Sequence, residues 1–298
     1  MQRFLGVLAL LSLTAFAADA AVGAPIEHGI PTPGTSPTNH IAILPNQPYS
    51  NPPTRAHVFD AYLPLDGADM HPAVILIHGG SWRRGNKRDL HKQGEYFARR
   101  GIASFSINYR LAPRFVWPAQ LEDAQAAVKW IRAHADQYGV DPGRIGVFGA
   151  SAGGQMAAML AMLTNGNPYE GSGVAAAVTW SAPMDLVLLG ELNGNTNDRA
   201  RGFLGCSDGE ECVAAYEASP INFVGRHDAP LFFVHSRWEP QPVQGAREMD
   251  QRMREKHAAH VYVELPGDKH ATGYGRDDIP HSPDTVIEAS LNFFLTHL

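Results

Sequence analysis

From residue 58 onward, short apolar runs alternate with amphipathic stretches, and this alternation limits the possible folds more than any other feature of the chain. The predicted strands are VFDAYL (58–63), AVILIHG (73–79), IASFSI (102–107), IGVFG (145–149), VAAAVTW (174–180), PLFFVH (230–235) and HVYVEL (260–265). Between residues 119 and 138, apolar side chains recur at helical spacing, at Leu121, Ala124, Ala127, Val128 and Ile131. Apolar strands separated by helices predict an α/β fold, with a mostly parallel sheet covered by helices on both faces.

The first 54 residues differ in character from the rest of the chain. Arg3, an apolar run of 13 residues (4–16) and small residues around Ala17 and Ala20 predict a cleaved signal peptide over residues 1–20. We therefore expect a secreted or periplasmic protein. A membrane anchor is the alternative, but a spanning helix needs roughly 20 apolar residues and Asp19 ends this run too early. Residues 21–54 hold eight prolines, which predict an extended N-terminal arm with one edge strand near residues 41–44.

Charge and cysteine content narrow the expected partners. The net charge is −6, and this mild acidity argues against nucleic acid or an anionic membrane as the main partner. The two cysteines, Cys206 and Cys212, predict a short-loop disulfide in an exported protein. No cofactor and no metal is predicted, because His257 and His260 span a helix end and a strand start without further ligands. The oligomeric state does not follow from the sequence.

One serine stands at a junction where a strand meets a helix. Gly149-Ala150-Ser151-Ala152-Gly153 fits G-x-S-x-G, preceded by the strand RIGVFG and followed by the helix QMAAMLAML. This is the setting of a nucleophile elbow, in which a strained turn presents the serine and small neighbours let strand and helix approach closely. The sequence therefore predicts that Ser151 is a catalytic nucleophile. The alternative is a serine that only caps the helix.

A serine nucleophile needs a base within hydrogen-bond reach and an acid that orients this base. His270 follows the last predicted strand through a Pro-Gly turn, so we expect it to be the base, with His281 as the weaker candidate. Glu239 follows the strand 230–235 and is the expected acid. The alternatives for the acid are Asp185 and Asp228. The resulting order of serine, acid and histidine along the chain is that of the elbow hydrolases.

A glycine pair follows the strand AVILI, in the motif HGGSW (78–82). Acyl transfer builds negative charge on a carbonyl oxygen, which preorganised N–H donors must stabilise. We expect Gly79 and Gly80, together with the N–H of Ala152, to form this oxyanion hole. Three aromatic residues in loops at the carboxyl ends of strands are candidate substrate contacts, with simple packing as the alternative role: Trp82, Tyr109 and Trp238.

Several longer motifs carry a resemblance to a known family. HGGSW, NYRLAP (108–113), residues 117–154, SAPMDL (181–186), EASPI (217–221) and ELPGDKH resemble the hormone-sensitive-lipase-like branch of the α/β-hydrolases. The likeness is greatest to bacterial carboxylesterases described as feruloyl-esterase-like, and kynurenine formamidases are near relatives. It spans residues 55–298 and implies an α/β-hydrolase domain. Residues 186–227 interrupt the strand-helix alternation and are predicted to be a cap-like insertion over the strand ends.

The resemblance implies a serine carboxylic ester hydrolase with the triad and the oxyanion hole at the positions given above. The predicted export favours polysaccharide-linked acetyl or feruloyl groups and short-chain esters as substrates. Amide or formamide hydrolysis is the alternative activity, and a non-catalytic binding protein is the alternative class. The chain departs from the family at the acid turn, where the usual H-G-x-x-D is replaced by His235-Ser236-Arg237-Trp238-Glu239. The extra methylene of a glutamate requires an adjustment of the backbone or of the histidine.

Overall fold

The computed structural model describes residues 40–164, 167–192, 198–207 and 212–298. The predicted signal peptide, residues 1–20, lies outside these described residues. Of the predicted N-terminal arm, residues 40–54 are described, and they include a strand that begins at Ile41.

The described chain forms one eight-stranded sheet in the order β1-β2-β4-β3-β5-β6-β7-β8. β1 and β2 pair antiparallel, as do β2 and β4, whereas all other neighbours are parallel. All seven strands predicted from the sequence are present, and the edge strand expected near residues 41–44 extends to Pro48. The strands are β1 (Ile41–Pro48), β2 (Val58–Pro64), β3 (His71–Ile77), β4 (Ala103–Ile107), β5 (Val140–Ala150), β6 (Ala177–Trp180), β7 (Leu231–Ser236) and β8 (His260–Leu265).

Helices connect the strands, and none of the described ones is long and apolar enough to cross a membrane. They are α1 (His91–Ala98), α2 (Ala119–Ala133), α3 (Ala152–Met162), α4 (Leu186–Leu192), α5 (Asp198–Leu204), α6 (Val213–Glu217), α7 (Val243–Glu255) and α8 (Val286–His297). α2 ends earlier than the helix predicted to reach residue 138. His134 leaves the helical region (φ −115°), and a 3₁₀ turn, Ala135–Tyr138, follows. Gly139, at φ 61°, then directs the chain into β5.

Both faces of the sheet are buried, as the apolar strands predict. Alternate residues of β3 belong to two different hydrophobic clusters, with Ile75 in one and Leu76 in the other, and each is 0% exposed. α2 and α3 cover the first face, whereas α1 and α8 cover the second. This burial fixes the sheet, so that the loops at the carboxyl ends of its parallel strands are held on one side.

The predicted insertion, residues 186–227, contains the short helices α4, α5 and α6. Phe203 of α5 accepts a hydrogen bond at its carbonyl from Trp117 N–H (2.8 Å). Ser219 Oγ accepts one from Leu186 N–H (2.8 Å). Cys206 and Cys212 are joined by a disulfide with a Cα–Cα distance of 5.7 Å. The first contact attaches the insertion to the loop before α2, and the other two join parts of the insertion to one another.

Candidate active site

Ser151 occupies the turn between β5 and α3, with φ 54° and ψ −120°, a conformation that non-glycine residues rarely adopt. The small residues around it are required by close backbone packing. A Cβ at Gly149 would lie 2.1 Å from the carbonyl oxygen of Gly153, and a Cβ at Gly153 would lie 2.0 Å from that of Ile77. The Ser151 side chain makes no capping hydrogen bond to α3. Its hydroxyl is therefore available to another group.

That group is His270, whose Nε2 lies 2.9 Å from Ser151 Oγ. The other ring nitrogen, Nδ1, is hydrogen-bonded to Glu239 Oε2. An ionised carboxylate only accepts hydrogen bonds, so Nδ1 carries the proton and Nε2 accepts from the serine hydroxyl. In this tautomer, His270 is arranged to take the proton of Ser151.

The turn after β7 places Glu239 beside His270. Arg237 N–H donates to Leu265 O (3.0 Å) and Trp238 N–H donates to Gly267 O (2.9 Å), so the pairing of β7 with β8 continues into both loops. The Glu239 side chain is 0% exposed, and its Oε1 accepts a hydrogen bond from Ser236 N–H (2.8 Å). The backbone thus fixes the longer acidic side chain in a position where it reaches the imidazole.

The alternative candidates for the acid and the base do not contact the Ser151–His270 pair. Asp185 accepts hydrogen bonds at the start of α4 from Val187 N–H (2.8 Å) and Leu188 N–H (3.0 Å). Asp228 accepts one from Gly225 N–H (2.6 Å), and His281 is exposed. His260 has one ring nitrogen on Asp250 and the other on a backbone carbonyl. Within the described residues, no group of three or more potential metal ligands is present.

The glycine pair after β3 lies against the serine. A Cβ on Gly79 would be 2.8 Å from Ala150 O, and Gly80 has φ 115°. Both glycines line, with Ser151 and His270, a cavity of about 530 Å³. Ala152 is the first residue of α3, and N–H groups in a first helical turn have no partner within the helix. The three predicted donors therefore lie around the nucleophile.

None of the three aromatic residues lines this cavity, whereas Tyr109 lines a second cavity beside it, so their role in substrate contact stays a prediction. Trp82, at φ 58°, is 3% exposed; it stacks on Phe203 of α5 (centroids 4.3 Å apart) and donates from Nε1 to Gln155 Oε1 (3.1 Å). Tyr109 is also 3% exposed, and its hydroxyl donates a hydrogen bond to His78 O (2.9 Å). Trp238 is 71% exposed on the surface. Sequence position placed these side chains near the strand ends but did not give their directions.

Gln155 has a supporting role that the sequence reasoning missed. It is fully buried, receives the Trp82 N–H, and donates from Nε2 to Ala218 O (2.7 Å) in the insertion. Gln155 lies one helical turn after Ser151, on α3. It therefore connects the oxyanion loop, the nucleophile helix and the insertion. The only sequence signal was its position, four residues after the serine.

His235 was also missed as a neighbour of the acid. Its Nε2–H donates to Gln241 O (3.0 Å) and lies 3.3 Å from Glu239 Oε1. Burial lowers the pKa of His235 below its ordinary value of 6.5, against an opposing effect of Glu239. The imidazole is therefore a neutral donor beside the buried carboxylate. Its spacing of four residues from Glu239 matches the histidine of the family motif.

A buried chain of hydrogen bonds holds the loop that carries His270. Ala271 N–H donates to Ser181 Oγ (2.7 Å), whose hydroxyl lies 2.9 Å from the Tyr274 hydroxyl. Tyr274 in turn donates to Val234 O (2.9 Å) in β7. Because Tyr274 uses its single proton on that carbonyl, Ser181 is the donor to Tyr274. The chain joins the histidine loop to the ends of β6 and β7, and no motif in the sequence predicts it.

The strained serine between β5 and α3, with a carboxylate after β7 and a histidine after β8, is the arrangement of an α/β-hydrolase. Solved structures agree with this fold. A "Truncated form of carbohydrate esterase from gut microbiota" superposes with a TM-score of 0.75 at 25% identity, covering 86% of this chain and 96% of its own. Esterase B from Lactobacillus Rhamnosis superposes with a TM-score of 0.70 at 20% identity, covering 86% and 85%.

Within this class, the chain belongs to the BD-FAE family, whose model matches residues 59–252. Among curated proteins, it is 31% identical over 218 residues to "Probable carboxylic ester hydrolase LipM" of Mycobacterium tuberculosis, covering 70% of this chain and 51% of that protein. "Esterase LipC" of the same organism is 32% identical over 212 residues, covering 67% and 52%. The chain therefore spans about half the length of these curated relatives.

Proposed function

We propose that the protein is a serine carboxylesterase that hydrolyses carboxylic esters through an acyl-enzyme. The observation that supports this most directly is the contact of Ser151 Oγ with His270 Nε2 at 2.9 Å, while His270 Nδ1 is bonded to the buried Glu239. Relatives named as carboxylic ester hydrolases and esterases support the same reaction.

In the proposed reaction, Ser151 Oγ attacks the ester carbonyl carbon while His270 Nε2 takes the hydroxyl proton. The oxyanion accepts hydrogen bonds from the N–H groups of Gly79, Gly80 and Ala152. His270 returns the proton to the departing alkoxide, which leaves an acyl group on Ser151. A water molecule, deprotonated by His270, then releases the acid and restores the serine. Glu239 keeps Nδ1 protonated and stabilises the charged imidazole throughout.

We further propose a polysaccharide-linked or other short-chain acyl group as the substrate. Two features support this choice. Three polar side chains, Ser81, Arg84 and Asp89, line the cavity at Ser151 beside apolar ones, and such groups form hydrogen bonds with sugar hydroxyl groups. A solved structure with 25% identity carries the name carbohydrate esterase. Export from the cytoplasm fits such substrates and the Cys206–Cys212 disulfide, which persists in oxidising compartments.

The test is hydrolysis of p-nitrophenyl esters from acetyl to octanoyl by the purified protein, with the S151A variant measured in parallel. We expect highest turnover on the shortest esters, and a loss of kcat on the order of 10⁶ in the variant, as for a triad that acts as a unit. A fluorophosphonate probe should label the wild type and not S151A. Turnover that survives in S151A, or the absence of both turnover and labelling, would refute the proposal. Formamide turnover without ester turnover would favour the amidase alternative.

A further inference from the structure

A second cavity lies beside the catalytic one and has no part in the acyl-transfer steps. Its volume is about 420 Å³. Gly85 lines both cavities, and a Cβ on Gly85 would lie 2.7 Å from Gly79 O, so the two cavities adjoin at the loop that carries Gly79 and Gly80. A substrate whose ester is at Ser151 would have its neighbouring groups close to this cavity.

The second cavity is rich in positive charge, although the chain as a whole carries −6. Three arginines line it: Arg55, Arg110 and Arg114. Arg110 is fixed by Asp123, which accepts from its Nε (2.8 Å), and by Glu122 (3.0 Å). Across residues 40–164, 167–192, 198–207 and 212–298, no carboxylate is paired with Arg55 or Arg114. Among the residues that the structure describes, two guanidinium groups of the cavity therefore have no carboxylate partner.

The Phe115 ring lies close to two of these charges. The Cζ atoms of Arg110 and Arg114 are 5.6 Å and 5.3 Å from the centroid of the Phe115 ring, which also lines the cavity. Leu111 and Ala112 add apolar surface to the same wall. An aromatic face packs against the C–H face of a pyranose, and a guanidinium matches a carboxylate through two parallel N–H donors. A bare inorganic anion would use the charges but not this apolar wall.

We propose that the second cavity binds a uronic acid residue of an acylated polysaccharide, with the sugar face on Phe115 and its carboxylate on Arg55 and Arg114. The substrate class is then an acyl ester carried on a uronate-containing polymer. This inference rests on the proposed esterase function and specifies the part of the substrate that the acyl-transfer residues do not contact. The reaction itself is unchanged: one ester bond is hydrolysed, and the uronate carboxylate only binds.

The test compares acetylated polygalacturonate with acetylated mannan, a neutral polymer, as substrates for wild type, for the double variant R55Q/R114Q, and for R226Q. Arg226 is an exposed arginine that lines neither cavity, and its variant removes one positive charge elsewhere on the surface. The measured quantity is the ratio of kcat/KM on the uronate polymer to kcat/KM on the neutral one.

We expect wild type to favour the uronate polymer by about tenfold or more, as charge-assisted arginine–carboxylate pairs allow. This preference should fall to about unity in R55Q/R114Q, stay unchanged in R226Q, and weaken in about 1 M salt, where the screening length is about 3 Å. A ratio near unity in wild type, or equal losses in R226Q and R55Q/R114Q, would overturn the proposal. If serine-dependent hydrolysis of p-nitrophenyl acetate is present in that case, only the uronate site fails. If it is absent, the esterase function itself fails.

Discussion

The substitution E239Q tests the geometry of the acid most sharply, because glutamine has the shape of glutamate but one oxygen acceptor instead of two. In the structure, the Glu239 carboxylate uses both oxygens, one on Ser236 N–H and one on His270 Nδ1. If the amide oxygen keeps the Ser236 bond, the amide nitrogen faces Nδ1, which must then accept. The imidazole proton moves to Nε2, where it faces the hydroxyl of Ser151. His270 can then no longer take the serine proton.

The expected cost is about 10⁴ in kcat, which corresponds to about 5.5 kcal/mol of transition-state stabilisation. KM should change little, because the Glu239 side chain is fully buried and does not line the catalytic cavity. The assay is steady-state hydrolysis of p-nitrophenyl acetate, with circular dichroism and thermal unfolding to establish that the variant is folded.

D185N and D228N are the matched controls, since both remove an aspartate that was an alternative candidate for the acid. Neither side chain contacts His270, so kcat should stay within about threefold of wild type, the range expected of residues away from the reacting groups. A folded E239Q protein that retains a tenth or more of the activity, or a large loss in D185N or D228N, would refute the reasoning.

Three further predictions follow from the supporting residues. Q155L leaves the Trp82 N–H and one backbone carbonyl without partners, so the free energy of unfolding should fall by about 2 to 6 kcal/mol in denaturant titrations; an unchanged midpoint would contradict this. S181A removes the acceptor of Ala271 N–H, which should cost about 1 to 3 kcal/mol and lower kcat more than it changes KM. Burial lowers the pKa of His235, so below about pH 6.5 the unfolded chain binds a proton that the folded chain does not. The Tm should therefore drop between about pH 7 and pH 5, and less steeply in H235Q.

Local sequence patterns were sufficient to predict the sheet and the strained turn at Ser151. Apolar runs of strand length alternate with amphipathic stretches, and a layered α/β arrangement buries such runs on both faces of a sheet. Every predicted strand is present. The turn was predictable because a serine flanked by small residues, in the pattern G-x-S-x-G between a strand and a helix, is typical of a nucleophile elbow. The end of α2 before His134 could not be predicted, because apolar residues continue at helical spacing on both sides of His134.

Contacts between distant parts of the chain could not be predicted in this way. Trp82 was expected in the cleft because it follows a glycine pair at a strand end, but its direction depends on Gln155 and Phe203, which are 73 and more residues away. Trp238 follows a strand end as well and points to solvent. A strand end locates a Cα atom, whereas the rotamer and the backbone angles decide where the side chain goes.

The sequence by itself determined the order of the strands along the chain, the serine and histidine that we propose as nucleophile and base, and the short list of candidate acids. The selection of Glu239 from that list required the tertiary structure, because the reach of its side chain depends on how the β7 and β8 loops pair. The same is true of Ser181, Gln155 and the arginine-lined cavity. Periodicity and turn chemistry act within a few residues, whereas hydrogen bonds and charge clusters depend on distances that only the folded backbone fixes.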